Sequence, residues 1–278
     1  MVTGTGWRVP VFAIDRRMLA KLEPVVRRVM IVDANTHAAR LLTDIMKGLG
    51  SREVAVEPDN ESALRMAEAL EPGLIFVERS GEALNGEKLA RSIRRSHLSC
   101  RTSPIIMITA EATAQTILGA RDAGVHEFLR KPFASADLYK RIENVALKPR
   151  GWVEGVAYVG PDRRRFNSGE YAGPGKRKSD APKDGDAAMA EAKDQAMRIL
   201  AAALDQFDND PVQAVRAVRQ QAVTLKEVAL KGADSRLQVA VGALEVSMAS
   251  GTPTKATLAA PIGALLAMVT LEPARRTG

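Results

Sequence analysis

Between residues 28 and 147, short apolar runs rich in β-branched residues alternate with amphipathic stretches of helical period. The runs are Val29-Met30-Ile31-Val32, Val54-Ala55-Val56, Leu74-Ile75-Phe76-Val77, Ile105-Ile106-Met107-Ile108 and Phe128-Leu129. Each is too short for a helix and lacks the polar alternation of a half-exposed strand. They therefore read as strands covered on both faces. Between them, Thr36–Leu49 sets Ala39, Leu42, Ile45, Met46 and Leu49 on one stripe, and Glu61–Leu70 does the same with Leu64, Ala67 and Leu70. Gly50, Pro72-Gly73, Gly124 and Pro132 punctuate the ends. Five strand–helix units in about 120 residues predict an α/β, doubly wound domain. The expected arrangement is flavodoxin-like, (βα)5, with parallel sheet order 2-1-3-4-5.

The rest of the chain has a different character. Residues 148–185 are dominated by Gly, Pro, Ser, Asp, Lys and Arg, and read as a basic linker. A near-repeat lies inside it: Tyr158-Val-Gly-Pro-Asp-Arg-Arg-Arg165, then Tyr171-Ala-Gly-Pro-Gly-Lys-Arg-Lys178. Residues 186–270 are Ala-rich with helical spacing, and predict an all-α bundle of four antiparallel helices. Asp210 is placed to cap a helix beginning at Pro211, Gly232 to end it, and Pro261 to kink or break the last helix. Residues 1–27 form a lead with one short helix around Arg16–Leu22. At 278 residues, with 46% hydrophobic and 26% charged, the composition is that of an ordinary globular chain of about two domains.

The net charge of +7 is unevenly spread. Residues 1–150 carry 23 Lys+Arg against 18 Asp+Glu, residues 151–185 carry 7 against 5, and residues 186–278 carry 10 against 10. That distribution gives little support to a dedicated nucleic-acid protein. No apolar run reaches the ~20 residues of a membrane span, and the first residues lack the pattern of a secretory signal. A cytoplasmic location is expected. One cysteine, Cys100, excludes an internal disulfide, and three scattered histidines, His37, His97 and His126, give no metal spacing. His37 and His126 read as structural or surface histidines, and Cys100, in a polar loop, as an incidental thiol.

In a doubly wound sheet, functional groups collect at the carboxyl ends of the strands. Those ends present Asp33, Glu78, Thr109 and Lys131, the last followed by Pro132. The stretches VMIVDAN (29–35), LIFVERSGEALNG (74–86), PIIMITAEA (104–112) and AGVHEFLRKPF (123–133) carry a joint pattern. In it, residues 28–147 resemble the CheY-like receiver domain of bacterial two-component response regulators. The resemblance implies a carboxylate nucleophile at position 78, an acidic pair at 33 and 34 that holds Mg²⁺, and Thr109 and Lys131 as phosphoryl contacts. It also implies an output aromatic at Phe128 and a cis Lys131-Pro132 bond.

Two positions depart from the family. Ala34 stands where a direct magnesium ligand is expected, and Glu78 where the phosphoacceptor aspartate is expected. Alanine cannot ligate a metal, and glutamate carries its carboxylate one methylene toward the lysine. With Mg²⁺ binding weak or absent, phosphoryl transfer loses its main charge stabilisation. The expected protein is therefore a non-catalytic, atypical response regulator. Its pseudo-receiver and helical domain would bind other signalling proteins, with a homodimer left open. Glu78 would either imitate the phosphorylated state or simply tie strand ends together.

Two other functions stay open. One is a conventional phosphorylation-responsive regulator in a phosphorelay. The other is a cyclic-dinucleotide or nucleic-acid binder acting through Arg163, Arg164, Arg165, Lys176, Arg177 and Lys178 of the linker. The helical segment lacks any histidine, so it cannot relay phosphate as a histidine phosphotransfer domain does.

Overall fold

The computed structural model describes residues 16–163 and 185–270. The predicted alternation folds as five strands: β1 (Arg28–Val32), β2 (Glu53–Glu57), β3 (Leu74–Glu78), β4 (Ile105–Thr109) and β5 (Glu127–Arg130). They form one parallel sheet in the order β2-β1-β3-β4-β5, with Met30 beside Ala55 and Ile75, and Met107 beside Phe128. The helices between and around them are α1 (Arg16–Val26), α2 (Thr36–Gly48), α3 (Asn60–Leu70), α4 (Gly86–Arg95), α5 (Ala114–Asp122) and α6 (Ser135–Leu147).

Strand periodicity sorts the core into two layers. Met30, Val32, Ile75, Val77, Ile105, Met107 and Phe128 point to one face, which α3, α4 and α5 cover. Val29, Ile31, Leu74, Phe76, Ile106, Ile108 and Leu129 point to the other, under α1, α2 and α6. Both faces are covered, so the strands need no polar alternation. Helix α1 runs four residues past the predicted Leu22, and Leu22 and Val26 are fully buried in the second layer. Phe128 is a buried core residue on β5. Cys100 is not in a polar loop: it is buried on a 3-10 turn, Ser99–Thr102, where its thiol faces the Ala67 carbonyl at 3.5 Å. Burial raises its pKa, which disfavours the thiolate.

The described chain separates into two compact units. The first takes the residues through Trp152 and again from Gly160; the second takes Val153–Val159 and the helices that follow. Those helices are α7 (Gly185–Asp205), α8 (Pro211–Lys231), α9 (Ser235–Ala249) and α10 (Lys255–Thr270). Successive helices pack together, and α10 closes against α7, giving the expected four-helix bundle. Its core is built on Met197, Leu200, Val218, Leu225, Leu237, Leu244, Leu258, Ile262 and Leu265. Asp210 caps α8, its carboxylate accepting from the Gln213 N–H at 3.0 Å, with Pro211 in the first turn. Pro261 does not break α10, which runs through it. The proline only removes one donor, and packing of Leu258, Ile262 and Leu265 holds the turns on either side.

The segment read as a linker contains regular structure before residue 163. Two short strands, β6 (Trp152–Glu154) and β7 (Val159–Pro161), pair with each other. Within the second unit, Val156 joins the bundle core, and Glu154 is buried against α8. The Gln213 amide donates to the Glu154 carboxylate at 2.8 Å and to the Gly155 carbonyl at 3.2 Å. Gln221 donates to the Glu154 carbonyl at 3.3 Å. Composition hid this strap because its anchors are two glutamines on another element.

Candidate functional site

The parallel register brings the carboxyl ends of β1, β3, β4 and β5 to one edge. Asp33 follows β1, Glu78 ends β3, Thr109 ends β4 and Lys131 follows β5. The Asp33 N–H donates to the Glu57 carbonyl at 3.0 Å, and the Lys131 N–H to the Thr109 carbonyl at 2.7 Å, so backbone bonds fix both groups. The Lys131–Pro132 bond is cis, as the resemblance implied.

Lys131 is the centre of the cluster. Its Nζ donates to Asp33 Oδ2 at 3.1 Å and to Glu78 Oε2 in a short ion pair. Asp33 Oδ1 accepts from the Asn35 N–H at 2.8 Å, and Glu78 Oε1 from the Arg79 N–H at 3.0 Å. Burial works against the charge on Lys131. The hydrogen bonds and Coulombic pull of Glu78, then Asp33, outweigh it and raise the lysine pKa above its ordinary value. The ammonium is therefore fixed as a cation between two carboxylates.

Thr109 is buried at the same edge, but its hydroxyl accepts from the Glu111 N–H at 3.2 Å. Ala34 offers no donor. Of the carboxylate oxygens that could meet a divalent ion, Asp33 Oδ2 and Glu78 Oε2 are engaged with Lys131, and Asp33 Oδ1 and Glu78 Oε1 accept backbone N–H bonds. Among the described residues no group of three or more His, Cys, Asp or Glu side chains gathers to hold a metal. Mg²⁺ prefers octahedral oxygen ligation supported by protein carboxylates, and this donor set does not fit it.

Two residues beside the site were not singled out from sequence. Arg79 reaches Glu87 on α4 at 3.4 Å and Glu111 after β4 at 3.3 Å, tying two strand-end loops together. Gly86 opens α4 where a Cβ would lie 2.5 Å from the Glu78 carbonyl, so only glycine fits beneath the site. Arg79 carried a weak signal, a charged residue directly after a buried strand. The glycine carried none that separates it from an ordinary turn.

A second polar cluster lies at the other, amino end of β4 and β5. Arg94 of α4 is buried and donates to the carbonyls of Gly124 at 2.9 Å, Arg101 at 2.6 Å and Ser103 at 2.9 Å. Its remaining nitrogen meets His126 Nδ1 at 3.1 Å, which also accepts from the Ile105 N–H at 3.3 Å. Two donors converging on Nδ1 leave the ring proton on Nε2. Burial, then the charges of Arg94 and Arg150, push the His126 pKa well below 6.5, so the ring is neutral. The Arg94 and Arg101 guanidiniums lie 5.3 and 5.7 Å from the Trp152 ring centroid. His126 is thus structural, as expected. Of the linker cations, Arg163 pairs with Asp122 at 2.9 Å. Arg164, Arg165, Lys176, Arg177 and Lys178 lie outside the described residues. A cleft of about 650 Å³ among Glu23, Arg27, Arg28, Arg52 and Glu53 sits at the amino end of β1 and β2, away from Lys131.

The family model described as response regulator receiver domain matches residues 29–143. Residues 29–143 are a receiver domain. The chain is 27% identical over 124 residues to the chemotaxis protein CheY of Pseudomonas aeruginosa, a match covering 45% of this chain and 99% of that protein. It is 26% identical over 121 residues to the DNA-binding response regulator MtrA of Mycobacterium tuberculosis, covering 44% of this chain and 51% of that protein. Among solved structures, a putative response regulator from Chloroflexus aurantiacus aligns at 26% identity and a TM-score of 0.41, covering 43% of this chain and 97% of the other. The receiver belongs to two-component signalling, and such domains generally signal rather than catalyse. Among the described residues no helix is long and apolar enough to cross a membrane. The family match ends at residue 143, before the helical unit, which begins its first helix at Gly185.

Proposed function

We propose that the receiver is a pseudo-receiver, closed by its own ion pair, and that the protein signals by binding other signalling proteins rather than by accepting phosphate. The observation that carries this reading is the occupation of Lys131 by Glu78 and Asp33, with alanine at position 34. A lysine that would receive phosphoryl oxygens already has two carboxylate partners. A nucleophile at position 78 would have to leave a charge-assisted bond to attack. The missing donor at Ala34 removes the metal that would offset the phosphoryl charge. Glu78 holds the ammonium continuously, which supports a fixed signalling state independent of phosphorylation.

Incubation with radiolabelled acetyl phosphate and Mg²⁺ tests the reading. The expected result is no stoichiometric labelling of the full chain and no difference from E78A. Metal-dependent, stoichiometric labelling that disappears in E78A would overturn it in favour of a conventional phosphorylation-responsive regulator.

A further inference from the structure

The helical unit leaves large aliphatic side chains in water on adjoining helices. Val212, Val223 and Leu230 of α8, and Val239 and Val246 of α9, are between 52% and 74% exposed. At 100° per residue, Val223 and Leu230 lie about 120° around α8 from the buried stripe of Val218, Ala222, Leu225 and Ala229. Val239 and Val246 lie opposite the buried Leu237, Ala240, Val241 and Leu244. The two stripes flank the groove between α8 and α9, which pack against each other. One ion pair crosses that groove: Lys226 Nζ reaches both carboxylate oxygens of Glu245 at 3.0 Å.

We infer that this face pairs two-fold with the same face of a second copy of the chain. The argument is its self-complementarity. In an isologous contact, residue i meets residue j and j meets i. A two-fold axis along the groove would lay α8 of one copy on α9 of the other without shifting height. The short α8–α9 hairpin fixes the heights: the Gln238 amide donates to the Ala229 carbonyl at 3.3 Å, so 229 is level with about 238, and the helices run in opposite directions. Val223 then falls within two residues, about 3 Å, of the partner copy's Val246. Leu230 falls within the same distance of the partner copy's Val239. Lys226 lies within one turn of the partner copy's Glu245, each side chain leaning toward the other's level, and the reverse. One operation thus matches four aliphatic side chains and both charges, which an unrelated partner would match only by a dedicated surface of its own. With about 20 Å of width and at least 22 Å of length, the face offers about 450–500 Å² per copy. The total, about 1,000 Å², is the lower end of what a specific interface needs.

Sedimentation of the full chain from about 1 to about 200 µM tests this, a range that brackets a modest association. The expected mass rises toward twice 29.9 kDa. V239D/V246D should hold the mass at 29.9 kDa throughout, with an unchanged helical circular dichroism signal. The charge pair gives an independent readout. K226E alone and E245K alone should each weaken association at least tenfold, and an equimolar mixture of the two should restore it. In the mixture the pairs across the axis are complementary, while the pair within each chain stays broken. A wild-type chain that stays monomeric, a dimer that survives V239D/V246D, or a mixture no tighter than its components would each overturn the inference.

Discussion

Lys131 decides the chemistry of the strand-end site because, among the described residues, it is the cation that sits between two largely buried carboxylates. Replacing it with methionine leaves Glu78 and Asp33 facing each other without compensation. The lysine side chain is 27% exposed, so solvent discounts the loss, and K131M should cost about 1–3 kcal/mol. Adding E78Q should recover part of that, since the neutral amide removes one of the two facing charges. Urea denaturation of wild type, K131M, E78Q and E78Q/K131M checks the coupling; strictly additive losses would mean that the pair does not interact. His126 carries a pH prediction. Its folded pKa lies below the unfolded value of 6.5, so on acidification the unfolded chain takes up the proton first. Stability is therefore intact above about pH 6.5 and falls below it, by at most about 1.4 kcal/mol per pH unit. H126N keeps an acceptor for Arg94 and the Ile105 N–H but cannot titrate. Its stability should fall less than that of wild type between about pH 7.5 and about pH 5.5.

At the scale of elements, the covered sheet explains why the receiver half was legible. Continuous β-branched runs mean helices on both faces, and parallel order follows from the crossovers that helices require. The helix ends were legible for the same local reason: Asp210, Pro211 and Gly232 act within one turn. The first helix was underread because its last turn holds Pro24, yet Leu22 and Val26 are fully buried. L22A should therefore cost about 2–4 kcal/mol, the range for emptying a packed leucine site, measured by urea denaturation. A loss under about 0.5 kcal/mol would mean that α1 is a loose appendage. The strap of residues 153–159 could not be read locally. Glu154 is an acid in a Gly/Pro-rich stretch until Gln213 and Gln221 supply its donors.

For the whole molecule, the division of charge has a consequence. The surplus of +7 sits on residues 1–185, while residues 186–278 balance at 10 against 10. Self-association through the α8–α9 face would then rest on aliphatic contact with one ion pair on each side of the axis. Raising salt from about 50 to about 500 mM should change its dissociation constant less than about fivefold, because screening acts on those pairs alone. Sedimentation at the two salt concentrations reads this. A hundredfold change would point to association through the basic residues instead.

The sequence by itself determined the sheet, its order, the bundle and the residues at the strand ends. These follow from hydrophobic period, turn residues and capping, which act over a few positions. Only the tertiary structure decided what the polar residues do. Arg94 sits in an arginine-rich helix and looks solvated, but carbonyls of Gly124, Arg101 and Ser103 converge on it and make burial affordable. Glu78 reads from sequence as reaching toward the lysine, and the fold brings Lys131, 53 residues away, onto its carboxylate as an ion-pair partner. Apolar burial is paid back wherever a core forms, so pattern suffices to predict it. A buried charge is stable only beside a specific partner, and partners distant in sequence meet only once the chain has folded.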